Sequence, residues 1–391
     1  MQPINDLKRL AFRFVLIIGI VNFFADMAYE GGRSVTGPFL GSLGASATIV
    51  GLVAGFGELL GYGLRSVSGY LADRTHKYWL VIFPGYVIKM LAVPALALAG
   101  SWPVAGALIV AERTGRAIRR PAVDAMISHA GKSIGHGWVF GFNEALDQGG
   151  ATIGPLITAL VLYLHGRYHF AFAVLLIPAA ACIAAIFIAR LRYPRPQELE
   201  ERLAELPRAG GFSRRYWLYV GGSMPVAAGF ADFALIAFHF RATAMLSQSM
   251  VPVFYSVAMA AGALASLVFG PLLDRRGAPM LILAVFLSAF FAPLVFLGGP
   301  AMALLGMILW GMGMGIQDSS LKAVVAGVVP ANKRSTAFGV FDTGYGIAWF
   351  LGSAAMGVLY NVSALAVVLF SMTMQIAALP VLSYASRLNS E

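Results

Sequence analysis

Apolar residues run along this chain in continuous blocks, each long enough to cross roughly 30 Å of hydrocarbon as a helix, and polar residues collect between the blocks. Read in order, the blocks predict twelve helices. Six fall in the first half, over 11–34, 44–70, 78–100, 103–126, 137–163 and 168–191. Six more follow, over 215–241, 250–272, 278–298, 301–326, 335–359 and 363–385. The runs do not alternate with a period of two, which selects helices over a membrane barrel. Between 191 and 215 lies the one clearly water-soluble stretch. There Pro194, Pro196 and Pro207 surround a charged segment, 198–205, that predicts a short surface helix. The expected fold is an all-α membrane protein with twelve transmembrane helices in two pseudo-symmetric six-helix bundles. Residues 1–191 form the first bundle, 192–214 a linker and 215–391 the second bundle.

The second half repeats the first. Phe140-Gly141 answers Phe338-Gly339, and at the same offset Glu144 falls on Asp342, Gly154 on Gly352, and Gly115-x-x-Ile118 on Gly313-x-x-Ile316. Gly69-Tyr-Leu-Ala-Asp73-Arg74 matches Gly270-Pro-Leu-Leu-Asp274-Arg275 at a slightly different offset, and Phe24-Ala25-Asp26 answers Phe230-Ala231-Asp232. Two related membrane halves in one chain build a cavity where they meet, and such folds move a solute by rocking around it. The repeat therefore predicts a transporter.

Composition agrees and removes other classes. Of 391 residues 59% are hydrophobic and 12% charged, against about 25% charged in soluble domains. The net charge of +10 does not point to nucleic acid, because the basic residues outside the helices sit almost entirely in connections on one side, apart from Arg167 and, near helix ends, Arg33 and Arg241. Lys8, Arg9, Arg74, Lys77, Lys132, Arg275, Arg276, Lys333, Arg334 and Arg387 lie at the ends or in those connections, and six arginines fall within 192–215. This bias places both termini and the linker in the cytoplasm, in a bacterial inner membrane. Cys182 is the single cysteine, so no internal disulfide framework exists. The first apolar run continues into Asn22, Asp26 and Glu30 rather than a small-residue cleavage site, so no cleavable signal is expected. No Gly-x-x-x-x-Gly-Lys-Ser/Thr run, zinc spacing or nucleophile elbow occurs. The expectation is a monomeric carrier, not an enzyme, with no cofactor and no resident metal.

Gly69 to Lys77 follows the second helix, and its echo Gly270 to Arg276 follows the eighth. A glycine permits close helix approach, and Asp73 with Arg74, or Asp274 with Arg275, can pair across a helix end as a latch. The plainer reading is a basic turn that anchors the chain. This pattern resembles the loop signature of the major facilitator superfamily, with His76 where the family has glycine. The resemblance covers essentially the whole chain. Arg113-x-Gly115-Arg116-x-x-Arg119, followed by Asp124-Ala125, looks like the fourth-helix signature, and Arg113 joins the latch set on that basis. In the fifth helix Gly141, Gly150 and Gly154-Pro155 match the spacing associated with antiporting exporters, with Thr158-Ala159 replacing the closing glycine pair. Read without the family, those glycines are packing notches and the proline a kink.

Ionisable residues at membrane depth carry the strongest chemical signal, since even lenient scales charge about 2.5–3.5 kcal/mol for each at the bilayer centre. Asn22, Asp26, Glu30 and Arg33 recur along one stripe of the first helix. Asp26 lies deepest, with Asp232 as its expected repeat partner on the seventh helix. Two facing carboxylates raise each other's pKa, so one can carry a coupling proton. Glu58 and Arg65 on the second helix are placed to pair with that stripe. Glu144 and Asp147, beside Asn143 and Gln148, form a second polar cluster, and Asp342 is the mate of Glu144. The bland reading of each is a buried ion pair that fixes packing, as for Glu112 with Arg113 or Arg116 and Asp318 with Lys322. Arg33, Arg65 and Arg119 supply counter-charge to an anionic solute group or to the carboxylates. His239, Met245 and Met250 are possible soft metal ligands, but methionines in apolar helices are mostly packing residues. Tyr29, Trp310, Tyr345 and Trp349 either wall a cavity or lie in the interface belt.

The resulting expectation is a secondary transporter in the lipid bilayer. It moves a small polar or charged solute, coupled to protons and in the export direction. Uptake of a nutrient or transition-metal ion, lipid flipping by the same fold, and a non-transporting membrane sensor are the rivals.

Overall fold

The computed structural model describes residues 2–45, 47–75, 77–196, 211–246 and 250–388. The predicted 198–205 helix and the Glu58 side chain lie outside what is described. Among the described residues every regular element is helical. In chain order they are α1 (Gln2–Ser42), α2 (Ala47–Thr75), α3 (Tyr78–Ala95), α4 (Trp102–Ile134), α5 (His136–His165), α6 (Tyr168–Val174), α7 (Leu176–Arg192), α8 (Arg214–Gly229), α9 (Phe233–Ala242), α10 (Met250–Arg276), α11 (Pro279–Ser288), α12 (Phe291–Phe296), α13 (Pro300–Ile316), α14 (Lys322–Val328), α15 (Arg334–Tyr360) and α16 (Ala364–Arg387). Interrupted pairs such as α6 and α7 merge into one segment, so the sixteen helices make the twelve segments that the apolar blocks predict. Among the described residues eight spans are long and apolar enough to cross a membrane by length and composition. The rest carry buried charge or are broken.

Local chemistry sets the boundaries. Ser213 caps α8 by accepting from the Tyr216 N–H, and Ser363 caps α16 by accepting from the Ala366 N–H. Pro279 and Pro300 open α11 and α13, where a missing N–H costs nothing. Gly135 and Gly277, at φ of 102° and 70°, turn the chain between helices in a region that side chains with a Cβ resist.

Besides the brief break at Leu175 between α6 and α7, three more interruptions among the described residues were not visible in the apolar pattern. The seventh segment stops at Gly229 and restarts at Phe233, the ninth breaks between Ser288 and Phe291, and a π-helical turn over Gln317–Leu321 joins α13 to α14. The first break leaves backbone groups that need partners in an apolar interior. Ser371 donates to the Gly229 carbonyl at 2.6 Å, Gln375 Nε2 donates to it at 3.3 Å, and Trp310 Nε1 donates to the Ala231 carbonyl at 2.8 Å.

The helices pack as two compact units. One contains Met1–Ile134, Leu146–Ala204 and Pro330–Thr343; the other contains Gly135–Ala145, Glu205–Val329 and Gly344–Glu391. In the first unit α4 lies against α2 and α3, and α1 lies against α7. In the second α13 lies against α10, and α8 lies against α16. A Cβ on Gly154 would collide with the Met27 carbonyl, and one on Gly352 would collide with the Ala228 carbonyl. Gly150 meets the Phe23 carbonyl in the same way, while Gly141 meets Ser266, and Pro155 lies inside α5 without breaking it. The fifth-helix glycines are close-approach notches.

Candidate functional site

The interior of the first unit is built from one face each of α1, α3, α4 and α5. Asn22, Asp26, Tyr29 and Arg33 follow one another on α1 at helical spacing. Arg113, Arg116, Arg119 and Arg120 do so on α4, so two polar stripes meet. Asp26 Oδ1 accepts from Lys89 Nζ at 3.0 Å; the Lys89 side chain is fully buried and the Asp26 side chain is 13% exposed. Arg120 reaches Asp147 at 3.2 Å and Asp124 at 3.5 Å. Arg119 donates to Tyr86 Oη at 2.9 Å and Asn22 Oδ1 at 3.3 Å, while Tyr86 donates to Asn22 at 2.5 Å. Arg113 donates to the Tyr29 hydroxyl and pairs with Glu112 at 3.6 Å. Glu30 and Arg33 pair at 3.4 Å on the more exposed edge.

Several expectations change here. Among the described residues the ion-pair partner of Arg65 is not on the first helix: Arg65 lies 3.3 Å from Asp342 on α15, with its guanidinium carbon 4.2 Å from the Tyr62 ring centroid. Distance along the chain hid that partner. Asp73 does not bridge to Arg74. Its carboxylate accepts from the Ser335 and Thr336 N–H groups at 3.2 and 2.6 Å, so it caps the start of α15, while Arg74 lies 3.4 Å from the Tyr70 hydroxyl. In the second unit Asp274 caps α5 likewise, accepting from Gly137 at 2.8 Å and Trp138 at 2.7 Å. Four free N–H groups and a positive helix end attract a carboxylate more strongly than a solvated arginine does. Gly69 permits the approach of Ser335, and Gly270 that of Gly137, so each cap comes with its own notch. Arg275 lies in the last turn of α10 beside the second cap, whereas the contacts described for Arg113 are with Tyr29 and Glu112.

Asp232 is also displaced from its expected role. The Gly154–Met27 and Gly352–Ala228 contacts are equivalent in the repeat, so the mate of Met27 is Ala228 and Asp232 falls beyond the mate of Asp26. Asp232 precedes α9, its carbonyl accepting from Leu235 at 3.1 Å and Ile236 at 3.4 Å. This is the helix-start position that aspartate favours for backbone reasons. Glu144 and Asp147 are both buried, three residues apart on α5, and Asp147 pairs with Arg120 on α4. His239 Nδ1 lies 2.9 Å from the Tyr360 hydroxyl and its ring against Phe296. Among the described residues no group of three metal-ligating side chains forms.

Lys89 was missed, although a signal existed: it is the lone charge in the apolar α3. Arg120 and Tyr86 had no such flag, since a charged helix and an ordinary tyrosine look structural in sequence.

The sequence matches the Major Facilitator Superfamily over residues 15–353. A protein of Mycobacterium tuberculosis, described as uncharacterized, is 41% identical over 384 residues, spanning 97% of this chain and 94% of its own. A Methanocaldococcus jannaschii protein described as an uncharacterized MFS-type transporter is 25% identical, spanning 93% of this chain and 92% of its own. The crystal structure of the human organic anion transporter MFSD10 superposes with a TM-score of 0.79 at 14% identity, covering 95% of this chain and 99% of that one. That likeness is one of fold. The chain belongs to the major facilitator superfamily: it is an integral membrane protein with the twelve-helix fold of secondary transporters that work by alternating access.

Proposed function

We propose that this transporter moves a small charged or polar solute, coupled to protons, in the direction of export. Asp26 carries the coupling proton and Lys89 is its counter-ion. The reading rests above all on that pair: a carboxylate at membrane depth, partly open, held at 3.0 Å by a lysine with no exposed surface. Losing either charge leaves the other uncompensated in low dielectric, so protonation of Asp26 favours a different arrangement of α1 and α3. Asp147 with Arg120 extends the same network. Arg119 and Arg33 offer positive charge to a solute, and the human structural neighbour's description as an organic anion transporter is in keeping with a charged cargo. The moving bodies are the sequence halves, 1–191 and 215–391, with both termini cytoplasmic in a bacterial inner membrane and the protein acting as a monomer. Asp73 and Asp274 act as latches whose caps must break when the helices slide. The export direction rests on the fifth-helix glycine spacing, through Gly141, Gly150 and Gly154.

Purified protein in proteoliposomes carrying an internal pH dye tests this. Wild type accumulates its solute under an imposed pH gradient with matching proton movement. Asp26→Asn keeps solute exchange without a gradient but loses gradient-driven accumulation. Unchanged gradient-driven accumulation in Asp26→Asn removes Asp26 from the mechanism.

A further inference from the structure

Four cationic side chains converge on the Tyr29 ring inside the first unit. Lys89 Nζ lies 4.5 Å from the ring centroid, and the guanidinium carbons of Arg116, Arg113 and Arg33 lie at 4.8, 5.1 and 6.0 Å. Three of them have carboxylates: Lys89 has Asp26 at 3.0 Å, Arg33 has Glu30 at 3.4 Å and Arg113 has Glu112 at 3.6 Å. Arg116 differs. Among the described residues it has neither an ion-pair partner nor a hydrogen-bond acceptor; it lies over the Tyr29 ring, and its Nε is buried without an acceptor. One turn further on, Arg119 is 1% exposed and its described partners are the neutral Tyr86 and Asn22. Neither guanidinium has a carboxylate in direct contact among the described residues, and Asp26, already paired with Lys89, attracts both only from longer range, an arrangement that favours an arriving anion.

We propose that the Tyr29 cluster binds the oxyanion headgroup of a small organic acid, with Arg116 as its principal contact. This names the solute class for the transport reading above and rests on it. The guanidinium fork matches carboxylate and phosphate oxygens two at a time, and the Tyr29 ring 4.8 Å away attracts the cation without competing for its N–H groups. Access is graded. Tyr29 is buried, Arg116 is partly open and the Arg33 side chain is 40% exposed, so an anion meets Arg33 first and Arg116 last. Glu30 stands at that entrance, but its pairing with Arg33 is an exposed contact three residues apart, of the kind that opens readily. A cationic or neutral solute finds no such complement around Tyr29.

The test uses full-length purified protein at low ionic strength, titrated with benzoate, citrate, inorganic phosphate and glycerol 3-phosphate. Benzamide and glycerol serve as uncharged counterparts, and thermal shift and calorimetry are the readouts. At least one anion should raise Tm where its uncharged counterpart does not, and added salt should weaken it. Arg116→Gln should lower that affinity about 10- to 100-fold, the usual loss for a hydrogen bond to a charged group, with Arg116→Lys falling between. The more exposed Arg33→Gln should lower it less, and carries the test if Arg116→Gln does not fold. The proposal is overturned if none of the four anions stabilises the protein, or if stabilisation is the same in Arg116→Gln, Arg116→Lys and Arg33→Gln. An anion that binds through Arg116 but is never transported would refute the transport reading and leave the site standing. Proton-driven flux of a neutral solute, with no anion bound, would do the reverse.

Discussion

The interiors of the two units solve the same packing problem with different chemistry. In the first, buried polar contacts include several ion pairs: Asp26 with Lys89, Asp147 and Asp124 with Arg120, Asp342 with Arg65. In the second, the core around Trp310 is aromatic, with Phe230 stacked on it at 5.6 Å and Tyr255 at 6.4 Å. Around Trp310 the described hydrogen bonds include neutral pairs, Ser288 to Gln375 at 3.1 Å and Trp310 to the Ala231 carbonyl, and Glu144 and Lys322 are also buried in this unit. What repeats is the scaffold. The notches at Gly154 and Gly352 and the helix caps by Asp73 and Asp274 occur in both units with equivalent partners. The charges repeat only in part: Asp342 and its mate Glu144 are both buried carboxylates, but the mate of Arg65 is Ser266, which donates to its own helix at Gly262. Duplication has kept what holds helices together and let the buried polar chemistry diverge.

That contrast can be broken most forcefully at the notches. Gly154→Val and Gly352→Val each press a branched side chain into a backbone carbonyl. Both should cost more than the roughly 1–3 kcal/mol of ordinary overpacking, and the two losses should be similar, read as yield of folded protein and Tm in detergent. Unequal losses would mean that the scaffold is not shared equally.

Next in size is Lys89→Ala, which strands Asp26 and should cost about 3–5 kcal/mol, against about 1 kcal/mol for Ser288→Ala in the neutral network. The double change of Asp26→Asn with Lys89→Met should recover most of that stability, and no recovery would show that the pair is not the source of the loss. Asp73→Ala and Asp274→Ala should each cost about 0.5–2 kcal/mol, as lost helix caps do. Cysteines placed near Ser335 or Trp138 should then label faster, and an unchanged rate would argue against a latch. Smallest is Asp232→Asn, within about 0.5 kcal/mol of wild type because asparagine caps a helix as well as aspartate. Gradient-driven transport should survive it, whereas Asp26→Asn should abolish it.

Helix spans were legible because crossing a hydrocarbon layer demands a long apolar run whatever surrounds it. The blocks at 137–163 and 335–359 became helices over 136–165 and 334–360. The stripe of Asn22, Asp26, Glu30 and Arg33 was readable for the same reason, since a buried charge stands out against apolar neighbours. The interruption before Asp232 was not. It survives because Ser371, Gln375 and Trp310 come from distant helices to satisfy the freed carbonyls. The Phe-Ala-Asp match therefore paired Asp26 with the wrong depth of the seventh segment.

By itself the sequence determined the membrane class, the twelve spans, the duplicated architecture and the residues too costly to bury without purpose. Tertiary structure alone decided the partners: Lys89 for Asp26, Asp342 for Arg65, and helix N–H groups rather than an arginine for Asp73 and Asp274. The division has a simple cause. Solvation cost is paid residue by residue and leaves its mark in composition and spacing. Pairing energy belongs to two groups at once, and which two come within 3–4 Å depends on how whole helices pack.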